Sequence, residues 1–223
     1  MSESMQWKRK ILSVNDENLI ENRITELEKK YRLEVIIAIL KASDPYPGAV
    51  FRFGICGVFI LSLFFSFFFS FANEFYFLLF QFCLLLMLLR LGQTSWAKLY
   101  SISRAEVERE VQEKANELFF LKDLHEIKEK NSLLIMFSLQ EKIIKIIPGP
   151  NLKSYFKSEI SEKMLNVFGR EFKNKKYLNG INQTLDILEN DLIKTLPTQL
   201  TDNLQTGSSK NEYENKIIWG DFS

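Results

Sequence analysis

The stretch LEVIIAIL, residues 33–40, decides the fold class of this chain. Every side chain in it except Glu34 is apolar, and four of them are β-branched. A strand that is apolar on both sides is typical of a sheet whose two faces are covered by helices. The apolar spacing upstream predicts a helix that is capped by Asn15 or Asp16 and runs to about Tyr31. The sequence therefore predicts an α/β domain with residues 33–40 as a buried strand.

Two further apolar runs, residues 133–139 and 142–147, predict a second and a third strand. The short Gln140-Glu141 link between them favours an antiparallel hairpin. The long connection from the first strand to the second instead implies parallel pairing with a right-handed crossover. Periodic apolar positions predict three more helices, at about residues 103–124, 155–172 and 177–196.

Two long apolar runs, residues 53–72 and 75–89, lie between the first and second strands. Thirteen of the 20 Phe residues fall between Phe51 and Phe82, and residues 53–72 carry no charge. A run of this length is enough for a helix to cross a bilayer, and the second run can be extended by snorkelling of Arg90. These features predict a transmembrane helical hairpin. The alternative, a buried hairpin in a soluble core, would need more protein around it than 223 residues supply.

The residues around the hairpin predict its orientation. The turn between the two runs holds Asn73 and Glu74, whereas both outer flanks are basic. The basic residues are Lys41, Arg52, Arg90, Lys98 and Arg104. Because Lys and Arg in short flanking segments stay on the cytoplasmic side, both termini are expected to be cytoplasmic. Trp96 and Tyr100 suit the inner membrane interface, and Tyr76 suits the outer one.

The chain divides into four parts on this interpretation. Residues 1–49 form the first part of the α/β domain, residues 50–92 the transmembrane hairpin, and residues 93–196 the remainder of the domain. Residues 197–223 are rich in Asn, Gln, Ser and Thr and predict a disordered tail. The tail ends on the apolar segment Ile217-Ile218-Trp219, which either has no role or docks onto the domain, a partner or the membrane.

Charge and cysteine usage exclude some classes of protein. The 29 Lys and Arg residues nearly balance the 28 Asp and Glu residues, so a chain built to bind nucleic acid is not supported. Cys56 and Cys83 both lie in the apolar runs. The sequence therefore offers neither a disulfide framework nor a zinc site, and both thiols are expected to pack.

Three blocks of the chain resemble the TPM domain family, named from the thylakoid membrane proteome, in the bacterial branch with a two-helix membrane hairpin inside the domain. Residues 33–48 resemble the first strand of the family and its Ser-Asp-x-Tyr-x-Gly exit. Residues 119–137 include Asn131-Ser132-Leu133-Leu134-Ile135 at the position of the Thr-Gly-Val-Leu-Ile strand. Residues 143–152 resemble the following strand and its Asp-x-Gly-Ile turn. With the two closing helices, the resemblance spans about residues 12–196.

The resemblance implies an α/β sandwich with a mixed sheet, interrupted by the transmembrane hairpin, in the bacterial inner (cytoplasmic) membrane. Activities attributed to the family are acid phosphatase activity, divalent cation binding and help in the assembly or repair of membrane complexes. No cofactor is predicted from the residues themselves, and the resemblance alone allows Ca²⁺ or Mg²⁺.

This chain departs from the family pattern at several positions. Leu33 replaces a glycine, the aspartate of the turn falls on Gly149, and the following glycine falls on Asn151. Losing that carboxylate weakens a site for a hard cation, which needs several oxygen ligands.

Four residues remain as candidate metal ligands: Glu34, Asp44, Asn131 and Asn151. Glu34 would otherwise be expected to face water at a strand end, and Asp44 to cap the turn before Pro45. Since Glu34 and Asp44 are separated by roughly 33 Å on an extended strand, they cannot share one site. His125 is the only histidine and is expected on the surface at a helix end, so no catalytic residue is predicted.

The sequence thus predicts a membrane-anchored cytoplasmic interaction or accessory domain that is not an enzyme and assists a membrane protein complex. Its expected partners are the lipid bilayer and an unidentified membrane protein, and nucleic acid is not among them. One alternative is a weak divalent-metal-dependent acid phosphatase. The other is a structural subunit of a larger membrane assembly. The sequence leaves the oligomeric state open.

Overall fold

A computed structural model of the chain describes residues 3–31, 33–68, 74–122, 124, 131–153, 155, 158–192 and 216–220. The chain forms two compact units. The first comprises Met1–Ser43 and Val111–Ser223, and the second, Asp44–Glu110, interrupts it in the sequence.

The described elements follow one another in the order helix, helix, strand, four helices, two strands, two helices, strand. They are α1 (Glu3–Ile11), α2 (Val14–Tyr31), β1 (Leu33–Leu40), α3 (Pro47–Phe68), α4 (Glu74–Gly92), α5 (Ser95–Ser101), α6 (Arg104–Leu121), β2 (Asn131–Ser138), β3 (Ile143–Pro148), α7 (Ser158–Lys173), α8 (Tyr177–Ile187) and β4 (Ile217–Gly220). A π-helical turn, Leu188–Leu192, continues α8.

The start of α2 differs from the predicted cap at Asn15 or Asp16. The Ser13 backbone N–H donates to Asp16 Oδ2 at 2.9 Å, and the Asp16 N–H donates to Ser13 Oγ at 3.2 Å. This reciprocal pair is a capping box, and it begins the helix at Val14. Helix α1, which precedes α2, was not predicted. Its Trp7 packs against Trp219, a residue far away in sequence, at 5.4 Å between ring centroids.

The four strands form one mixed sheet in the order β3-β2-β1-β4. β1 and β2 are parallel and in register from Leu33 opposite Asn131 to Leu40 opposite Ser138. β2 and β3 are antiparallel. Both pairings confirm the predictions from the connection lengths, and the α/β class is confirmed with them.

The main core lies on one face of this sheet. Odd-numbered residues of β1 and β2, such as Ile37 and Ile135, pack in one cluster with buried side chains of α2, α7 and α8. Even-numbered residues such as Ala38 and Met136 are also fully buried, so the other face is covered as well. Val111 and Ala115 of α6 are also buried, and they are not part of the first cluster. The near-continuous apolar character of β1 reflects this two-sided burial.

The second unit is built on α3 and α4, two apolar helices that pack closely together. A Cβ placed on Gly54 would lie 2.7 Å from Leu89 Cδ2, and one on Gly57 would lie 2.9 Å from Leu88 Cδ1. A larger residue at either position would therefore require the facing leucine side chain to move. The spans Pro47–Phe67 and Glu74–Gly92 are long and apolar enough to cross a membrane. The predicted turn residue Asn73 lies outside the described residues.

α4 continues only two residues beyond Arg90. α4 ends at Gly92, and Thr94 Oγ1 donates to the Leu91 carbonyl at 2.7 Å as the chain turns. A separate helix, α5, then begins at Ser95.

The prediction of a disordered tail over residues 197–223 is wrong for its apolar end. Ile217–Gly220 forms β4, which pairs in parallel with β1 from Ile37 opposite Ile217 to Leu40 opposite Gly220. The Ile37 N–H donates to the Lys216 carbonyl at 2.9 Å, and the Lys41 N–H donates to the Gly220 carbonyl at 3.1 Å. Residues 197–215, which make up most of the predicted tail, lie outside the described residues, as do residues 193–196 at the end of the last predicted helix.

Candidate functional site

Glu34 is buried in the first unit and is bound by a lysine from the other end of the chain. Only 2 % of its surface is exposed. Lys216 Nζ lies 2.6 Å from Glu34 Oε1 and donates a hydrogen bond to it. The expectation that Glu34 faces water is therefore wrong, and as a metal ligand it would have to release a buried ammonium group.

A second carboxylate completes this cluster. Glu28, near the end of α2, places Oε2 2.8 Å from Lys216 Nζ. Its other oxygen, Oε1, accepts the backbone N–H of Val35 at 3.0 Å. All three charged side chains are 5 % exposed or less. We call Glu28, Glu34 and Lys216 the buried ionic cluster.

Burial and charge act in opposite directions on the groups of the buried ionic cluster. Desolvation raises the pKa of Glu28 above its ordinary value, against the lowering effect of its hydrogen bonds to Lys216 and Val35. Desolvation alone would lower the pKa of Lys216, but its hydrogen bonds to Glu28 and Glu34 outweigh it and raise that pKa. Lys216 is therefore held firmly in its charged form between two carboxylates.

A hydroxyl–carboxylate cluster lies at the carboxyl ends of β1 and β2. The hydroxyls of Ser43 and Ser138 are buried and 2.7 Å apart. Ser138 Oγ donates to Glu141 Oε2 at 2.5 Å, and Glu141 Oε1 accepts the Ser43 N–H at 3.0 Å. The carboxyl ends of parallel strands are the usual place for ligand sites in α/β proteins. Here the groups bind one another and join the β2–β3 turn to the end of β1.

Asp44 belongs to the second unit and caps a turn. The Tyr46 backbone N–H donates to Asp44 Oδ1 at 2.5 Å. Tyr46 has a positive φ of 51°, a conformation that costs energy outside glycine and needs such local support. The side chain therefore has the turn-capping role that its position before Pro45 suggested.

The turn after β3 explains one departure from the family pattern. Gly149 donates its N–H to the Ser132 carbonyl at 2.7 Å, and a Cβ on Gly149 would lie 2.1 Å from Ser132 Oγ. Ser132 is 1 % exposed and donates from Oγ to the Leu124 carbonyl at 2.8 Å. In the TPM pattern that the sequence resembles, glycine stands at the position of Ser132 and aspartate at that of Gly149. In this chain the strand carries the side chain and the turn carries the glycine.

Of the four candidate ligands, Glu34 lies at the start of β1 and Asp44 follows its end, so these two do not share a site. Asn131 stands opposite Leu33 in the register, next to the pair of Glu34 and Ser132, but its side chain lies outside the described residues. Asn151 is exposed in the turn after β3, and Asp44 lies beyond the opposite end of β1. Within the described ranges, no three His, Cys, Asp or Glu side chains are arranged to hold a metal ion. His125 is outside those ranges.

Sequence reasoning missed Glu28, Lys216 and the serine pair. Glu28 resembles any other charge on an amphipathic helix, and Lys216 follows a polar segment. The one available signal was a charged residue, Glu34, inside a strand that is otherwise apolar. A buried carboxylate is costly unless it is paired, so this residue indicated a nearby cation.

Comparison with known proteins supports the resemblance. A model of the TPM domain family matches residues 100–191, which include β2, β3, α7 and α8. The buried ionic cluster lies outside the matched range. The fold is similar to the NMR structure of the BA42 protein from the psychrophilic bacterium Bizionia argentinensis, with a TM-score of 0.52 and 14 % identity over 94 % of this chain and 95 % of that chain. No curated protein matches the sequence. Residues 100–191 therefore match the TPM domain family, and the fold of the chain is similar to that of the BA42 protein.

Proposed function

We propose that the chain is a two-pass membrane protein whose α3–α4 hairpin anchors a cytoplasmic TPM domain. The observation that carries the proposal is the surface of that hairpin. Only 11 % of each span is buried, although the mean hydropathy of each span is about 2. Large side chains such as Phe59, Phe67 and Phe82 are mostly exposed. Exposed apolar surface of this extent on two adjacent helices is unfavourable in water and favourable in lipid.

Residues at the base of the hairpin support the same proposal. Arg52, near the start of α3, binds both carboxylate oxygens of Glu106 at 2.9 and 3.0 Å and donates to the Ser101 carbonyl. Trp96 and Tyr100 on α5 are exposed by 63 % and 86 %. Aromatic rings beside paired charges suit the membrane–water interface rather than the hydrocarbon. We place α5 at the cytoplasmic interface.

We expect cysteine labelling to define the topology. In a chain in which Cys56 and Cys83 are replaced by Ala, a cysteine at Asn73 should react with an impermeant thiol reagent in intact cells. A cysteine at Lys210 should react only after the membrane is permeabilised, because the basic flanks hold both termini in the cytoplasm. Labelling at Lys210 and not at Asn73 in intact cells would invert the topology. Recovery of the protein in the soluble fraction would remove the membrane anchor altogether.

For the TPM domain itself, we infer a non-catalytic interaction role at a membrane protein complex in the bacterial inner membrane. Two of the candidate ligands already have structural partners, because Glu34 binds Lys216 and Asp44 caps the turn at Tyr46. A carboxylate with such a partner is a poor ligand for an added cation, since binding must displace the partner. The interaction role therefore accounts for these residues better than a phosphatase does.

We expect the detergent-solubilised chain to release no phosphate from an aryl phosphate above background, with or without added Mg²⁺ or Ca²⁺. A Glu34→Gln variant serves as the control and should give the same rate. Metal-dependent release that is lost in Glu34→Gln would instead establish the phosphatase alternative.

Affinity purification from solubilised membranes should recover a membrane protein in a sub-stoichiometric, salt-sensitive complex. A fixed stoichiometry would favour the structural subunit.

A further inference from the structure

The C-terminal strand is held in the sheet by the kind of contacts that proteins use to recognise a peptide. β4 lies at the edge of the sheet, and β1 supplies main-chain hydrogen bonds to Lys216 and Gly220. Lys216 enters a socket made by Glu28 and Glu34. Main-chain pairing with an exposed strand combined with pockets for alternate side chains is the pattern of β-augmentation.

The contacts on the remaining side chains are equally specific. Ile217 is 7 % exposed and belongs to the main core cluster. The rings of Trp219 and Trp7 form a T-shaped contact, and Lys8 Nζ lies 5.9 Å from the centre of the Trp219 ring. An open cleft bordered by Lys8, Glu21 and Lys122 runs beside β4. The strand is therefore bound on its inner side and accessible along its outer side.

The covalent connection does not determine which sheet β4 joins. Residues 193–215 separate the last described helical turn from Lys216. A parallel edge strand has no short turn that ties it to its neighbour, unlike the β2–β3 hairpin. At about 3.3 Å per residue, the connection can extend over a distance on the order of 70 Å, which exceeds the diameter of a small domain. It is therefore long enough to reach the same groove in an adjacent molecule.

We propose that the edge of β1, with the socket of Glu28 and Glu34, is a binding groove for an extended peptide that begins with lysine, and that a second copy of this chain supplies the peptide by exchange of β4. The sequence that fits the groove is Lys216–Ile217–Ile218–Trp219–Gly220, and a second copy of the chain carries the same segment on an equally long connection. Exchange preserves every contact of β4 and requires no new interface, so the dimer forms at little cost in free energy.

Cross-linking between two tagged full-length chains tests this proposal. Both chains carry Cys56→Ala and Cys83→Ala; one also carries Ala38→Cys, and the other Ile218→Cys. Residues 38 and 218 are register partners, and Ala38 is fully buried, so its thiol can meet a foreign thiol only when a foreign strand occupies the groove. The two chains differ in tag length, are expressed together, and are oxidised in the membrane. A single chain with both cysteines reports the bond within one molecule.

The expected result is a covalent dimer that contains both tags. Adding Lys216→Met to the Ile218→Cys chain should remove most of this dimer, because the peptide then lacks the cation that the socket binds. If the double-cysteine chain closes its bond internally while the mixed chains remain monomeric, β4 stays in its own sheet and the proposal is wrong. The register pair Leu40→Cys and Gly220→Cys repeats the test at the other end of the strand, where the same two results apply.

Discussion

Replacing Lys216 with Met is expected to destabilise the α/β unit by about 3–5 kcal/mol at neutral pH. The change leaves Glu28 and Glu34 buried with no cation between them. Each carboxylate must then remain charged in a poorly solvated site, take up a proton, or draw water into the core. The substitution also loosens β4, because the lost ion pairs belong to the residue whose carbonyl makes the first main-chain contact of that strand.

The effect of Lys216→Met should depend on pH. In the unmodified chain the raised pKa of Lys216 means that its stabilisation is complete below the ordinary lysine value of about 10.4 and is lost as the pH rises through the folded-state pKa. The Lys216→Met variant has no lysine at this position and therefore does not lose this stabilisation at alkaline pH. Burial already raises the pKa of Glu28, and without Lys216 that pKa rises further. The variant should therefore recover stability as the pH falls towards about 4.3, where both states bind the proton.

Urea unfolding followed by tryptophan fluorescence measures this difference. A Trp96→Phe background leaves Trp7 and Trp219, which lie beside β4. Lys30→Met, which breaks the exposed pair with Glu189, is the matched control and should have little effect. The triple variant Glu28→Gln, Glu34→Leu and Lys216→Met should regain most of the loss, because it buries no charge. Unchanged unfolding of Lys216→Met at neutral pH would show that the ion pairs of Lys216 with Glu28 and Glu34 do not stabilise the fold.

Gly149→Ala is expected to cost roughly 2–4 kcal/mol, from overpacking together with the loss of a buried hydrogen bond. The new Cβ would lie 2.1 Å from Ser132 Oγ and 3.1 Å from the Ser132 carbonyl. The hydroxyl can move away only by giving up its bond to the Leu124 carbonyl. The backbone can move away only by breaking the Gly149–Ser132 hydrogen bond.

A double-mutant cycle gives this prediction a sharp control. Ser132→Gly removes the clashing hydroxyl, so Gly149→Ala should cost at least about 2 kcal/mol less in the Ser132→Gly background than alone. The pair Ser132→Gly and Gly149→Asp reproduces the family pattern and should fold, whereas Gly149→Asp alone should not be recovered as a stable protein. Additive costs in the cycle would mean that the two residues do not share the space that their geometry indicates.

Local sequence patterns were enough to predict α2, α6, α7, α8, three strands and the apolar hairpin, because each depends on side chains that are close in sequence. A continuous apolar run rich in β-branched residues defined β1, and the Gln140-Glu141 link predicted the antiparallel pairing of β2 and β3. Some of the differences from prediction were local as well. The capping box at Ser13 moved the start of α2, and the turn at Thr94 separates α4 from α5.

The candidate sites were less predictable, since their chemistry depends on distant partners. Asp44 could be interpreted from its neighbours, Pro45 and Tyr46, because a turn is a local structure. Glu34 could not, because its partner Lys216 follows it by 182 positions. The exchange of bulk between Ser132 and Gly149 likewise appears only when two strands are placed side by side.

The sequence by itself determined that two helices of this chain are suited to lipid and that an apolar sheet is buried between helices, since hydropathy and periodicity belong to each segment alone. Only the tertiary structure decided the fate of Lys216–Ile217–Ile218–Trp219. Four residues are too few to form a strand unaided, and an isolated lysine indicates water rather than burial. The segment becomes a strand because β1 offers unpaired main-chain groups and two buried carboxylates offer a place for one ammonium group.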